Sequence, residues 1–109
     1  MRVVAIPEVR QYLKELIGIL YGKNYFSYTE SAEKYVTELF EDIKKNLPKK
    51  VKKDAPSYFD RYGKGMKYTT FRKSRDTQWY VFFNIYRQDG DTIYLIRYIS
   101  NNHVDARHI

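Results

Sequence analysis

Apolar residues recur at three- and four-residue intervals through Val9, Leu13, Leu16, Ile17 and Leu20, with Glu8, Arg10, Lys14 and Glu15 between them. That spacing predicts an amphipathic helix with one face against a core. Pro7 suits the first turn, where its missing N–H is not needed, and Gly22 predicts a left-handed stop. Ahead of this helix, Arg2-Val3-Val4-Ala5-Ile6 reads as a short strand. A second stripe through Ala32, Tyr35, Val36, Leu39, Phe40, Ile43 and Leu47 predicts another helix, and Pro48 discourages its continuation. Ser27-Tyr28-Thr29-Glu30 fits a capping box at its start. The short connection between the helices predicts an antiparallel pair.

From Pro48 to Gly65 the helical period disappears, and lysines, Pro56, Gly63 and the aromatic group Tyr58, Phe59 and Tyr62 collect instead. Three aromatics so close together predict an ordered connector that covers a surface. Met66–Lys73, Thr77–Tyr86 and Thr92–Ser100 are then rich in β-branched and aromatic residues and read as strands. Asp89-Gly90 predicts a tight hairpin between the last two. The resulting order is β-α-α-β-β-β with a short tail. It implies an α+β fold in which an early helical hairpin packs on a mainly antiparallel sheet, leaving the other face open. The 109 residues carry no linker-like composition break, so a single domain is expected.

Composition narrows the chemistry. Hydrophobic residues make up 43% of the chain and it holds twelve tyrosines, which excludes a disordered polyelectrolyte. It has no cysteine and two histidines, so disulfides, thiolate chemistry and a metal centre are not expected, nor is a cofactor. The first residues reach Pro7 and Glu8 too soon for a secretory core, and no stretch is long enough to span a membrane; a cytoplasmic protein without membrane partners is expected. The net charge of +7 is unevenly placed: between Lys44 and Arg75 lie twelve lysines and arginines against two aspartates. Such a block attracts RNA or an acidic protein, although a solvated lysine-rich connector has the same composition.

With the strands in place, the chain resembles the RelE/ParE superfamily of toxins from type II toxin–antitoxin systems. The resemblance lies in Tyr68-Thr69-Thr70-Phe71-Arg72, Trp79-Tyr80-Val81-Phe82-Phe83 and Ile93-Tyr94-Leu95-Ile96-Arg97-Tyr98-Ile99 as consecutive strands. The polar tail Asn101-Asn102-His103-Val104-Asp105-Ala106, and Asp54-Ala55-Pro56-Ser57-Tyr58-Phe59 with Tyr62-Gly63-Lys64-Gly65 as the connector, add to it. The resemblance implies an antitoxin partner and one of two activities: cleavage of mRNA on the ribosome, or non-catalytic inhibition of DNA gyrase. RNA cleavage by 2′-OH attack needs that hydroxyl deprotonated, the phosphorane neutralised and the 5′ oxygen protonated.

For that chemistry the resemblance singles out Arg97, on the last strand, to face the scissile phosphate. Alternation groups it with Ile93, Leu95 and Ile99, a charge among residues that read as core-facing; an edge position or an ion pair with an acidic neighbour would also accommodate it. Arg72 is the second arginine expected at the reaction centre. His103 stands where family members carry a proton-transferring histidine or tyrosine. Lys64, Lys67 and Lys73 fall where the family holds RNA, and Lys49, Lys50, Lys52 and Lys53 extend the basic block. Alternation places Lys67 and Lys73 on one face and Arg72 on the other, so these charges cannot all meet one phosphate. Tyr80, Tyr94 and Tyr98 could stack bases but are better read as core or rim, and Trp79 as core. The strand Gln78–Asn84 lacks the arginine that several RNA-cutting members carry there, which favours the gyrase alternative. A double-stranded-RNA-binding module would need a long C-terminal helix, for which too few residues follow Ser100.

Overall fold

The computed structural model describes residues 1–23 and 26–102. Strand β1 (Arg2–Ala5) leads into helix α1 (Pro7–Gly22) and helix α2 (Thr29–Asn46). A connector with two short 3-10 turns, Leu47–Lys49 and Ser57–Arg61, flanks the two-residue strand β2 (Lys53–Asp54), and β3 (Lys67–Arg72), β4 (Gln78–Gln88) and β5 (Asp91–Asn101) follow. The sheet order is β1-β5-β4-β3-β2. All neighbours are antiparallel except β1, which runs parallel to β5. This is the expected α+β architecture, enlarged by the small edge strand β2.

The β4–β5 hairpin forms where Asp89-Gly90 predicts it. Gln88 pairs with Asp91, and the two residues between have φ of 52° and 80°, the left-handed pair that a two-residue turn requires to match strand twist. The helix ends differ from expectation. Tyr28, not Ser27, is the residue preceding α2 and no side chain caps it; the Ser27 hydroxyl lies one residue too early to reach the free N–H groups. Gly22 stays helical, and the cap falls on Lys23, whose N–H donates to Ile19 O at 3.0 Å. Pro48 behaves as expected, since α2 gives way to the 3-10 turn at Leu47.

Two apolar clusters sandwich the sheet. On one face Val9, Leu13 and Leu16 of α1 and Val36, Leu39 and Ile43 of α2 cover Trp79, Val81, Phe83 and Ile96. The Trp79 indole N–H donates to the Tyr35 hydroxyl at 2.9 Å, so this buried donor is satisfied. The opposite face is not open. The connector lays Phe59, fully buried, against Phe82 with ring centroids 4.3 Å apart, joined by Met66, Tyr68, Tyr80 and Tyr98. Burying a phenylalanine contributes roughly 1.5–3 kcal/mol, enough to hold a segment with little regular structure. The aromatic trio in the connector has found its surface, and that surface is the half of the sheet the helices leave uncovered.

Candidate functional site

The ladder between β1 and β5 ends abruptly. Ile6 N–H donates to Ile96 O at 3.1 Å, and Pro7 then turns the chain into α1, so β5 continues from Arg97 without a β1 neighbour. At this point β5 bulges. Phe82 pairs with Tyr98 and Phe83 with Ile96, leaving Arg97 as the extra residue. A bulge of this kind breaks the strict alternation of a strand. Here it sends Arg97 and Tyr98 to the same side: Tyr98 packs with Phe59 and Phe82, and Arg97 bonds Asn84 and Tyr86. The helix-facing residues of β5 are accordingly Tyr94, Ile96 and Ile99. The expected grouping of Arg97 with Ile99 is therefore wrong, because the bulge changes the phase between them.

The Arg97 guanidinium is half-buried and positioned by neutral acceptors. Its Nε donates to Asn84 Oδ1 at 2.6 Å and its Nη2 to the Tyr86 hydroxyl at 3.0 Å. Asn84 is itself oriented, since its Nδ2 donates to Lys64 O at 3.1 Å. Among the described residues no carboxylate forms an ion pair with Arg97. Asn84 and Tyr86 are neutral partners, which fix the guanidinium in place and leave it able to bind an added anion.

A cleft of about 410 Å³ opens beside it, between the first turns of α1, the connector and the exposed end of β5. Its walls include Glu8 and Tyr12 from α1, Arg61 and Tyr62 from the connector, and Arg97 and Tyr98 from β5. Tyr62 and Tyr98 stack with centroids 3.8 Å apart and planes 4° from parallel. Arg61 rests on the Tyr58 ring at 4.3 Å, and its Nε donates to Tyr58 O at 3.2 Å. Gly63 lets the connector come this close, for a Cβ there would stand 2.5 Å from Arg97 Cδ. The result is two arginines from distant parts of the chain in one cleft, backed by tyrosine rings. Such a cleft can hold a phosphate and an adjoining flat ring.

The other expected site residues are scattered. Arg72 folds into the β3–β4 turn, donating from Nε to Ser74 O at 3.1 Å and from Nη2 to Arg75 O at 2.9 Å. It lies five positions beyond Lys67, the residue level with the Arg97 row, or roughly 17 Å along the strand. Arg72 and Arg97 therefore do not share a phosphate. Lys67 pairs with Asp54 on β2, and Lys73 approaches Asp42 of α2 at 3.7 Å. Lys50 lies over the Phe71 ring at 4.7 Å. Lys52 ties the turn after α2 together through Pro48 O and Lys50 O at 3.0 and 2.8 Å. Lys49 and Lys53 are exposed on the connector, and Lys64 is exposed next to the Asn84 contact. His103 lies outside the described residues. Tyr80 and Tyr94 are buried, as expected of core residues. Burial first, and Tyr68 second, push the Tyr80 hydroxyl above its usual range.

Arg61, Glu8, Tyr12, Asn84 and Tyr86 did not stand out in the sequence. Only Asn84 leaves a trace there, as the polar residue that ends the apolar run from Trp79 to Phe83. Among the described residues no group of three or more His, Cys, Asp or Glu side chains could hold a metal ion, and no helix is long and apolar enough to cross a membrane. Comparison with protein-family models, with curated proteins and with solved structures gives no match.

Proposed function

We propose that this chain is the toxin of a type II toxin–antitoxin pair, similar to the RelE side of the RelE/ParE superfamily, and that it cleaves mRNA on the ribosome in the cytoplasm. The observation that carries this reading is the Arg97 guanidinium, held on the neutral side chains of Asn84 and Tyr86 in a cleft that also contains Arg61. In the proposed step the RNA 2′ oxygen bonds to the adjacent phosphorus and the bond from phosphorus to the 5′ oxygen breaks. A 2′,3′-cyclic phosphate and a 5′-hydroxyl result; the 2′ proton leaves to a base and the 5′ oxygen gains a proton. Arg97 and Arg61 stabilise the negative charge that builds on the phosphorane oxygens. His103 is the proposed proton carrier. The basic connector, with Lys49 and Lys53 exposed, supplies long-range attraction for RNA and for an acidic antitoxin.

The test is induction of the wild type and of Arg97→Ala, with transcript ends mapped on translating ribosomes. Wild type yields new 5′-hydroxyl ends and growth arrest. Arg97→Ala, folded by circular dichroism, loses at least about a hundredfold in cleavage. Intact transcripts in arrested cells overturn the proposal. The gyrase alternative is favoured by one observation, the confinement of Arg72 to its own turn, which leaves the cleft one arginine short of the expected set. It predicts arrested supercoiling with RNA untouched.

A further inference from the structure

The cleft carries a carboxylate as well as two guanidinium groups, and the proposed phosphate chemistry does not use it. Glu8 and Tyr12 of α1 line the same cleft as Arg61 of the connector and Arg97 of β5. No ion pair among the described residues joins Glu8 to either arginine. Opposite charges thus line one cleft of about 410 Å³ without forming an ion pair among the described residues, and both are open to a ligand that carries complementary groups. A ligand that satisfies both must present donors at one end and a phosphate at the other.

Resting on the reading of the chain as an RNA-cleaving protein, we propose that this cleft selects guanine at the nucleotide 5′ to the cut, with Glu8 accepting from the base and Arg61 and Arg97 holding its 3′-phosphate. The selectivity follows from donor geometry. A carboxylate offers two acceptor oxygens and no donor. Of the four RNA bases, guanine alone has a ring N–H and an exocyclic amino group side by side on its Watson–Crick edge, a fork that fits those two oxygens. Adenine and cytosine present one amino group next to a ring acceptor that a carboxylate repels, and uracil presents two carbonyls flanking its N–H. The Tyr62 ring, which lines the same cleft, is a flat surface of the kind a base stacks on. The volume suits a single nucleotide.

Binding of 3′-GMP, 3′-AMP, 3′-CMP, 3′-UMP and 3′-IMP to the full chain is measured by calorimetry. Wild type is expected to prefer 3′-GMP by about tenfold to a hundredfold, the discrimination that a good two-point base contact gives. 3′-IMP, which keeps the ring N–H and lacks the amino group, falls in between. Glu8→Gln removes most of the preference, whereas Glu15→Gln, further along α1 and outside the cleft, keeps it; thermal melts check that both are folded. Equal binding of all nucleotides, no measurable binding, or a guanine preference that survives Glu8→Gln overturns the proposal. Mapped cuts separate the two readings: cleavage with no guanine bias removes the guanine subsite and leaves the RNA-cleaving reading standing. Guanine-selective binding without any RNA cleavage leaves the subsite and removes the activity.

Discussion

Replacing Gly63 with alanine displaces Arg97 while leaving its own chemistry unchanged. The added Cβ would sit 2.5 Å from Arg97 Cδ, 3.2 Å from its Nε and 3.3 Å from Met66 Sδ. Carbon atoms in contact prefer about 3.5–4.0 Å, so the arginine must retreat by roughly 1–1.5 Å. Gly63, unlike Gly65 and Gly90, does not occupy the left-handed region, so alanine brings no backbone strain. The retreat breaks the 2.6 Å bond from Nε to Asn84 Oδ1. A hydrogen bond to a charged group is worth about 1.5–3 kcal/mol when buried. Arg97 is only half-buried and water can replace Asn84, so the loss is smaller. Alanine also stiffens the unfolded chain, which offsets roughly 0.4–1 kcal/mol. The net change in stability should be about 1 kcal/mol or less. The proposed RNA cleavage should suffer far more, because an error of about 1 Å in the placement of a reacting group can cost about a hundredfold in rate. Urea midpoints and mapped transcript ends from the same preparation measure the two quantities. Wild-type cleavage at unchanged stability would show that the position of Arg97 does not matter. A loss of stability above about 3 kcal/mol would show that Gly63 serves packing, because that range belongs to core disruption.

Two further predictions concern the frame around the cleft. Gly90→Ala forces a Cβ into a φ of 80° and should destabilise the β4–β5 hairpin by about 1–2 kcal/mol, read as a lower urea midpoint with an unchanged m-value; no change would mean that the turn adopts another conformation in solution. The Asp91 carboxyl is held below its usual range, chiefly by a hydrogen bond from the Met1 ammonium, which outweighs the opposing effect of desolvation; the Met1 charge, the Thr92 amide and Arg2 add lesser contributions. A lowered folded-state pKa contributes stability above the unfolded value and loses it as pH falls through the folded one. The advantage of wild type over Asp91→Asn should therefore be present near neutral pH and shrink progressively as pH falls below about 4; urea midpoints that differ by the same amount at neutral pH and well below about pH 4 would refute the assignment.

Local patterning made much of the architecture legible. The three- and four-residue stripes of α1 and α2, the strand-forming runs and the Asp89-Gly90 turn act over a few residues, and a stretch of sequence carries that information complete. The strand order and the covered second face depend on contacts between segments far apart in the chain. Phe59 stacks on Phe82 and β1 pairs with β5 across some ninety residues. Composition can only say that Tyr58, Phe59 and Tyr62 need a surface, not which one.

Arg97 illustrates the division. Its residue type and its place on the last strand were readable, but its surroundings were not, because a single extra residue between Ile96 and Tyr98 shifts the alternation. A bulge arises from the mismatch between two paired strands, and neither strand shows it alone. The same holds for Arg61 and Glu8, which become neighbours of Arg97 only when the connector folds across the sheet and β1 stops short of the end of β5. Charge content was written into the chain from the start. Which charges share a cleft was decided by packing, since side chains distant in sequence meet only where the core brings their backbones together.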